Sequence, residues 1–284
     1  MIRCGRPPWM HHPVILHLRD CPTLSAPDQR PTPVGASNPH PTTYPQFILF
    51  GDSITQFSSQ VLFASLAEWY SRRLDVVNRG FSGYTAPMGY DILGQFFPSS
   101  DAAPPSPTTP RVQLMTVFFG ANDACLPGHP QHVPLADYRT ALRSIIKSRG
   151  VESHQTKCLL ITPPPVDEWQ LGSEERTAEH TATYASACRT VGREMGIPVL
   201  DLWTIFMNKA GWWEGSPGAL TGSKKAPRNE VLGKLLNDGL HLTARGYKLM
   251  YEELVQVIKD QLPDQLPENL PMIFPEWRDK LGIL

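Results

Sequence analysis

The chain of 284 residues carries 26 Lys and Arg against 27 Asp and Glu, a net charge of -1, too small a field to hold a protein on nucleic acid or an anionic membrane. Its length supports one large α/β domain or two small ones, and 41% hydrophobic with 19% charged residues is the balance of a packed globular chain. The five Cys show neither C-x-x-C nor metal-ligand spacing, so free thiols in a reducing compartment are expected, with no metal or other cofactor.

Ten of the 29 Pro lie in the first 45 residues. Residues 1–43 have no sustained period of 2 or 3.6 and read as a disordered Pro-rich extension. Arg3, Arg6 and Arg19 precede the first acid, Asp20, as in organelle presequences, but a disordered extension on a cytoplasmic protein is the reading kept. No apolar run approaches the roughly 18 residues of a membrane span, so stable insertion is not expected.

The domain is expected over 44–261. Phe47-Ile48-Leu49-Phe50 is a short all-apolar run, as in a strand buried on both faces of a parallel sheet. A helical stripe follows through Val61, Leu62, Leu66, Trp69 and Tyr70, then a strand from Asp75 to Asn78. A helix over 86–97, a Pro/Ser-rich loop over 98–110 and a strand over 112–119 continue the alternation. Leu135, Tyr138, Leu142, Ile145 and Ile146 mark the next helix. Strands over 158–161 and 199–202 flank a helix over about 173–195, and a helix over 244–261 closes the domain. Five strands alternating with helices predict a single doubly wound α/β domain with a five-stranded parallel, flavodoxin-like sheet, whose ligand crevice lies beyond the carboxyl ends of the strands. Residues 211–229, with Trp212 and Trp213, read as a long loop at the active edge and make those two candidates for substrate binding. Residues 262–284 hold Leu270, Met272, Ile273, Phe274 and Trp277, a tail apolar enough to pack on the domain or on a partner subunit. A monomer or homodimer is expected.

Small polar clusters close three of the strands, at Ser53, at Asn78-Arg79-Gly80-Phe81-Ser82-Gly83 and at Asn122, and Asp238-Gly239-Leu240-His241 precedes the last helix. In a parallel sheet such ends converge on one rim. A serine hydroxyl needs a base to become a nucleophile, and imidazole is suited to accept its proton near neutrality. Asp238, three residues before His241, can fix the imidazole tautomer. The backbone N–H groups of Ser53 and Gly83, with the Asn122 side-chain amide, can receive an oxyanion. Asp52 and Asp123 read as loop organisers. No G-x-S-x-G elbow occurs, which disfavours the α/β-hydrolase fold despite the Ser, Asp, His order.

Gly51-Asp52-Ser53-Ile54, Asn78 to Gly83, Gly120-Ala121-Asn122-Asp123 and Asp238 to His241, in that order, resemble the SGNH hydrolases, or GDSL esterases/lipases, over about 46–261. Ile54 stands where the family name has Leu. The stretch from Asn78 to Ala86, Thr162 to Glu168 and Phe274 to Arg278 are similar to the isoamyl acetate-hydrolysing esterases. The resemblance implies a metal-independent serine esterase acting through an acyl-enzyme on a small-molecule ester, with Ser53, Asp238 and His241 catalytic and short acyl chains, acetate above all, as substrates. A carbohydrate O-deacetylase, thioesterase or lysophospholipase on the same fold is the alternative, and a catalytically silent ligand-binding protein is the non-enzyme rival.

Overall fold

The first strand, β1 (Gln46–Gly51), is apolar throughout its middle because it is covered on both sides: Phe47 and Leu49 enter one apolar cluster, Ile48 and Phe50 the other. The computed structural model describes residues 43–97 and 109–283. The extension expected over 1–43 lies, but for Thr43, outside the described residues, as does most of the 98–110 loop.

After β1 come a single helical turn, α1 (Ser53–Gln56), helix α2 (Leu62–Trp69) and strand β2 (Asp75–Gly80). Helix α3 (Ala86–Phe96), strand β3 (Val112–Phe118), helices α4 (Leu135–Ile146) and α5 (Arg149–Ser153) and strand β4 (Lys157–Ile161) continue the alternation. Helix α6 (Ala178–Met195) leads to strand β5 (Val199–Leu200), and α7 (Leu202–Lys209), α8 (Glu230–Leu235) and α9 (Ala244–Gln261) follow. The strand order is β2-β1-β3-β4-β5, every neighbouring pair parallel. Leu62, Leu66, Met250, Leu254 and Ile258 of α2 and α9 cover one face; Leu93, Leu142, Ile145, Tyr184 and Val191 of α3, α4 and α6 cover the other. This is the doubly wound arrangement, with its topological switch between β1 and β3, where the crossovers leave in opposite directions and open a crevice.

Two elements differ from their expected bounds for local reasons. The last strand is only two residues long because Asp201 caps α7, its carboxylate accepting from Thr204 N–H at 3.2 Å, which turns the chain into helix at Leu202. Helix α6 begins at Ala178, where the Thr177 hydroxyl accepts from His180 N–H at 3.1 Å.

The chain beyond α9 runs through two 3₁₀ turns, Pro263–Gln265 and Pro267–Asn269, to a final short helix α10 (Trp277–Leu281). Leu262, Leu270 and Ile273 are buried. The Tyr70 hydroxyl donates to Gln265 O at 2.9 Å, and the Arg72 guanidinium donates to Phe274 O at 3.1 Å and Pro275 O at 3.0 Å. Covering thus falls to Leu270 and Ile273; Phe274 sits half-exposed, edge-on to Tyr44, and Trp277 is 63% exposed where α10 turns outward. Among the described residues no helix is long and apolar enough to cross a membrane.

Candidate active site

The crevice at the switch point is where β1 delivers Ser53 and β3 delivers Asn122. Ser53 opens the α1 turn, and the preceding Asp52 caps it, Oδ1 accepting from Ile54 N–H at 2.9 Å. Gly80, ending β2, packs so closely on this turn that a Cβ there would lie 2.1 Å from Gln56 N; only a residue without one lets β2 approach the turn that carries Ser53.

His241 arrives from the far end of the chain. Asn237 N–H donates to His241 O at 2.7 Å and Thr243 N–H to Leu235 O at 2.9 Å, closing a tight turn ahead of α9. Inside it, Asp238 Oδ1 accepts from the N–H groups of Leu240, 3.0 Å, and His241, 2.8 Å, while Oδ2 faces His241 Nδ1 at 2.8 Å. Ser53 Oγ lies 2.8 Å from His241 Nε2. An ionised carboxylate only accepts, so with a single ring proton the hydrogen belongs on Nδ1 and the bare Nε2 accepts from the serine hydroxyl. Burial alone would raise the Asp238 carboxyl, but hydrogen bonds from the His241 ring and from two backbone N–H groups outweigh it and hold the group below its ordinary value. Asp238 is therefore ionised wherever His241 works as a base. The Tyr247 hydroxyl donates to Ile54 O at 2.6 Å and ties α9, which follows the His241 turn, to the turn that carries Ser53.

The other side of Ser53 is built from the loops after β2 and β3. Gly83 adopts φ +80°, and its carbonyl accepts from Gln131 Nε2 at 2.7 Å. That left-handed backbone disfavours any residue with a Cβ. Asn122 is buried; its Nδ2 donates to Tyr84 O at 3.0 Å, and its Oδ1 accepts from Arg176 Nη2 at 3.3 Å. Asp123 accepts from Ala86 N–H at 2.9 Å and so joins the third loop to α3. Gln131 and Arg176 were not expected from sequence: one is an amide in a loop of turn formers, the other a charge beside two glutamates.

Beside His241 lies a cavity of about 610 Å³ walled by Phe57, Gln60, Val61, Asn237 and Tyr247 among others. Phe57 meets the His241 ring edge-on at 5.9 Å. Trp212 and Trp213 do not line it. Trp212 packs at 82° against Trp203, 5.1 Å away, in a small cluster with Ala185 and Met207, and Trp213 is 60% exposed. Trp212 pins the 211–229 loop onto α6 and α7, where its indole finds apolar partners.

Burial pushes the Asp52 and Asp123 carboxyls each up to about 7; hydrogen bonds from Ile54 and Ala86 respectively pull them back, and Asp123 pushes Asp52 further up. A raised folded-state value means the native protein holds protons that the unfolded chain releases. The associated stability is complete below about pH 4 and is lost as pH rises to about 7. Asp52→Asn keeps the acceptor for Ile54 and removes the titration, so its melting temperature should gain on the wild type steadily from pH 4 to 8. A gap that does not change with pH, read by calorimetry across that range, would show that Asp52 ionises alike in both states.

The profile of the GDSL-like lipase/acylhydrolase family matches residues 49–249. A GDSL esterase/lipase of Arabidopsis thaliana is 37% identical over 232 residues, covering 76% of this chain and 86% of that protein. The isoamyl acetate-hydrolyzing esterase 1 homolog of Bos taurus is 34% identical over 252 residues, covering 84% and 89%. Among solved structures, the lipase/acylhydrolase from Enterococcus faecalis superposes with a TM-score of 0.53 at 24% identity, covering 76% of this chain and 96% of that one. That superposition shows a shared fold, the five-stranded parallel sheet with helices on both faces. The chain belongs to the GDSL-like lipase/acylhydrolase family and is a carboxylic ester hydrolase.

Proposed function

We propose that the protein is a serine esterase of short-chain carboxylic esters, acetate esters above all, working through an acyl-enzyme. The observation that carries this is the continuous chain from Ser53 Oγ through the His241 ring to Asp238, each link 2.8 Å. Ser53 Oγ attacks the ester carbonyl while its proton passes to His241 Nε2, and Asp238 stabilises the imidazolium. The tetrahedral oxyanion is held by the N–H groups of Ser53 and Gly83 and by the Asn122 amide. His241 then protonates the leaving alkoxide, the C–O bond breaks and the acyl group stays on Ser53. Water attacks that ester with His241 as base, and the proton returns to Ser53 as the acid departs.

The cavity beside His241 is the place for the leaving alcohol, since the group that protonates the alkoxide forms part of its wall and Phe57 and Val61 offer it apolar contact. Isoamyl acetate, the ester named for the bovine relative, pairs an acetyl group with a short branched alcohol and suits that division. Cys125, Cys158 and Cys188 are buried free thiols, which supports a reducing, cytoplasmic location.

Hydrolysis rates on p-nitrophenyl acetate, butyrate and octanoate, and on isoamyl acetate against acetylated sugars and acyl thioesters, test the substrate class. A fall in kcat/KM from acetate to octanoate is expected; a maximum at octanoate, or on a sugar acetate, would overturn the assignment. Asn122→Ala should lower kcat by about 10²–10³-fold, the usual loss for one oxyanion donor. A rise in KM at constant kcat would instead assign Asn122 to ground-state binding.

A further inference from the structure

We propose that Arg176 is a positioning residue for ester hydrolysis, locking the Asn122 carboxamide so that its nitrogen, not its oxygen, faces the oxyanion. The inference rests on the oxyanion role proposed above for Asn122.

A carboxamide is nearly symmetric in shape, and a rotation by half a turn about its last bond exchanges donor for acceptor at almost no steric cost. An oxyanion site built on such a group fails in half of its orientations unless the surroundings choose one. Here they choose on both sides. Tyr84 O, which can only accept, faces Nδ2 at 3.0 Å, and the Arg176 guanidinium, which can only donate, faces Oδ1 at 3.3 Å. Turning the amide over would set two acceptors against each other at Tyr84 and two donors at Arg176, losing both bonds and leaving buried groups unpaired. With one Nδ2 hydrogen on Tyr84 O, the second is left for the oxyanion.

Arg176 is itself held for this task. It is 7% exposed, a burial that a lone cation would not tolerate. Its Nε donates to Ala121 O at 3.0 Å and its Nη1 lies 3.5 Å from Glu175 Oε2. Glu175 O accepts from Leu126 N–H at 2.7 Å, and the Glu175 carboxylate faces His129 Nε2 at 3.4 Å. The guanidinium thus grips the backbone on one side of Asn122 and its side chain on the other, which needs the planar fork; an ammonium group reaches one partner well. A positive charge at the far end of the amide dipole also polarises Nδ2–H toward the charge that develops on the substrate oxygen.

The test is a double-mutant cycle between Arg176 and Asn122, with kcat and KM measured separately on p-nitrophenyl acetate and melting temperature recorded for every variant. Arg176→Met should lower kcat about 10–100-fold with KM changed by no more than about twofold, the pattern of a group that acts in the transition state. Made on top of Asn122→Ala, the same change should cost no more than about threefold, because the amide it orients is gone. Arg176→Lys should fall between wild type and Arg176→Met, and it carries the same cycle should the Met variant fail to fold. Equal losses of kcat in both backgrounds, or a lower melting temperature at unchanged kcat, would show that Arg176 only braces the loop and would overturn the proposal. Asn122→Ala with wild-type kcat would remove the oxyanion reading itself, a result distinct from a large Asn122 effect to which Arg176 merely adds.

Discussion

Ser53→Ala is expected to fold like the wild type and to lose at least about three orders of magnitude in kcat, as removal of a triad nucleophile does. The fold is expected to survive because the Asp52 cap on Ile54 N–H and the Tyr247 bond to Ile54 O hold the α1 turn without the serine hydroxyl. Activity is lost because, among the described residues, no other hydroxyl is paired with His241 Nε2, which the Ser53 Oγ meets at 2.8 Å. What remains is hydrolysis by water with the oxyanion donors and His241 in place, and its rate should no longer show an acyl-enzyme burst. A fluorophosphonate should label the wild type on Ser53 and leave the variant unlabelled. Near wild-type turnover by the purified variant, or labelling at another residue, would end the Ser53 mechanism, whereas a folded wild type that takes no label and turns nothing over would favour the silent-binding alternative.

How far the fold could be read from sequence depended on element length. The run 47–50 is apolar at every position, and 112–118 at all but Gln113 and Thr116, because both faces of β1 and β3 are buried, and no helix-period stripe competes with them. Helix α9 has the expected bounds since Thr243 caps it, its hydroxyl accepting from Gly246 N–H at 3.2 Å, and its stripe runs for five turns. The turns α1, α5 and α8 have four to six residues, fewer than two periods of 3.6, so no pattern marks them. At the site, Ser53, Asn122, Asp238 and His241 were legible as polar clusters at strand and helix ends, and the fold joins Ser53, His241 and Asp238 in one hydrogen-bonded chain. Arg176 was not, since its value comes from facing Asn122 across 54 positions of sequence. The two tryptophans offered an even choice between a pocket wall and a loop pin, since aromatics suit both, and only the fold shows that Trp212 packs on Trp203 5.1 Å away.

Truncation after Gln261 is expected to cost several kcal/mol of stability, by an amount that does not depend on protein concentration. The tail puts Leu270 and Ile273 into burial at 7% exposure each, and fully burying two aliphatic side chains contributes roughly 3–6 kcal/mol. Its loss also strips the Tyr70 hydroxyl, which is buried beside Phe47, of its acceptor Gln265 O, and an orphaned buried donor costs about 1–3 kcal/mol more. At roughly 2–4 °C per kcal/mol for a domain of this size, the melting temperature should fall by about 8 °C or more. Because Tyr70 ends α2 and Phe47 lies in β1, the strand that leads to Ser53, activity should decline as the fold loosens while the triad residues themselves stay unchanged. Concentration separates the two ways in which a tail can act. A strap that binds its own domain gives the same melting temperature at every dilution, whereas a tail exchanged between two chains gives one that rises with protein concentration. In the strap, the ties to Arg72 through Ile273 N–H, Phe274 O and Pro275 O hold the tail against the end of α2. A truncated protein with full stability would mean that the tail covers nothing of consequence, and a concentration-dependent wild type would assign it to a dimer.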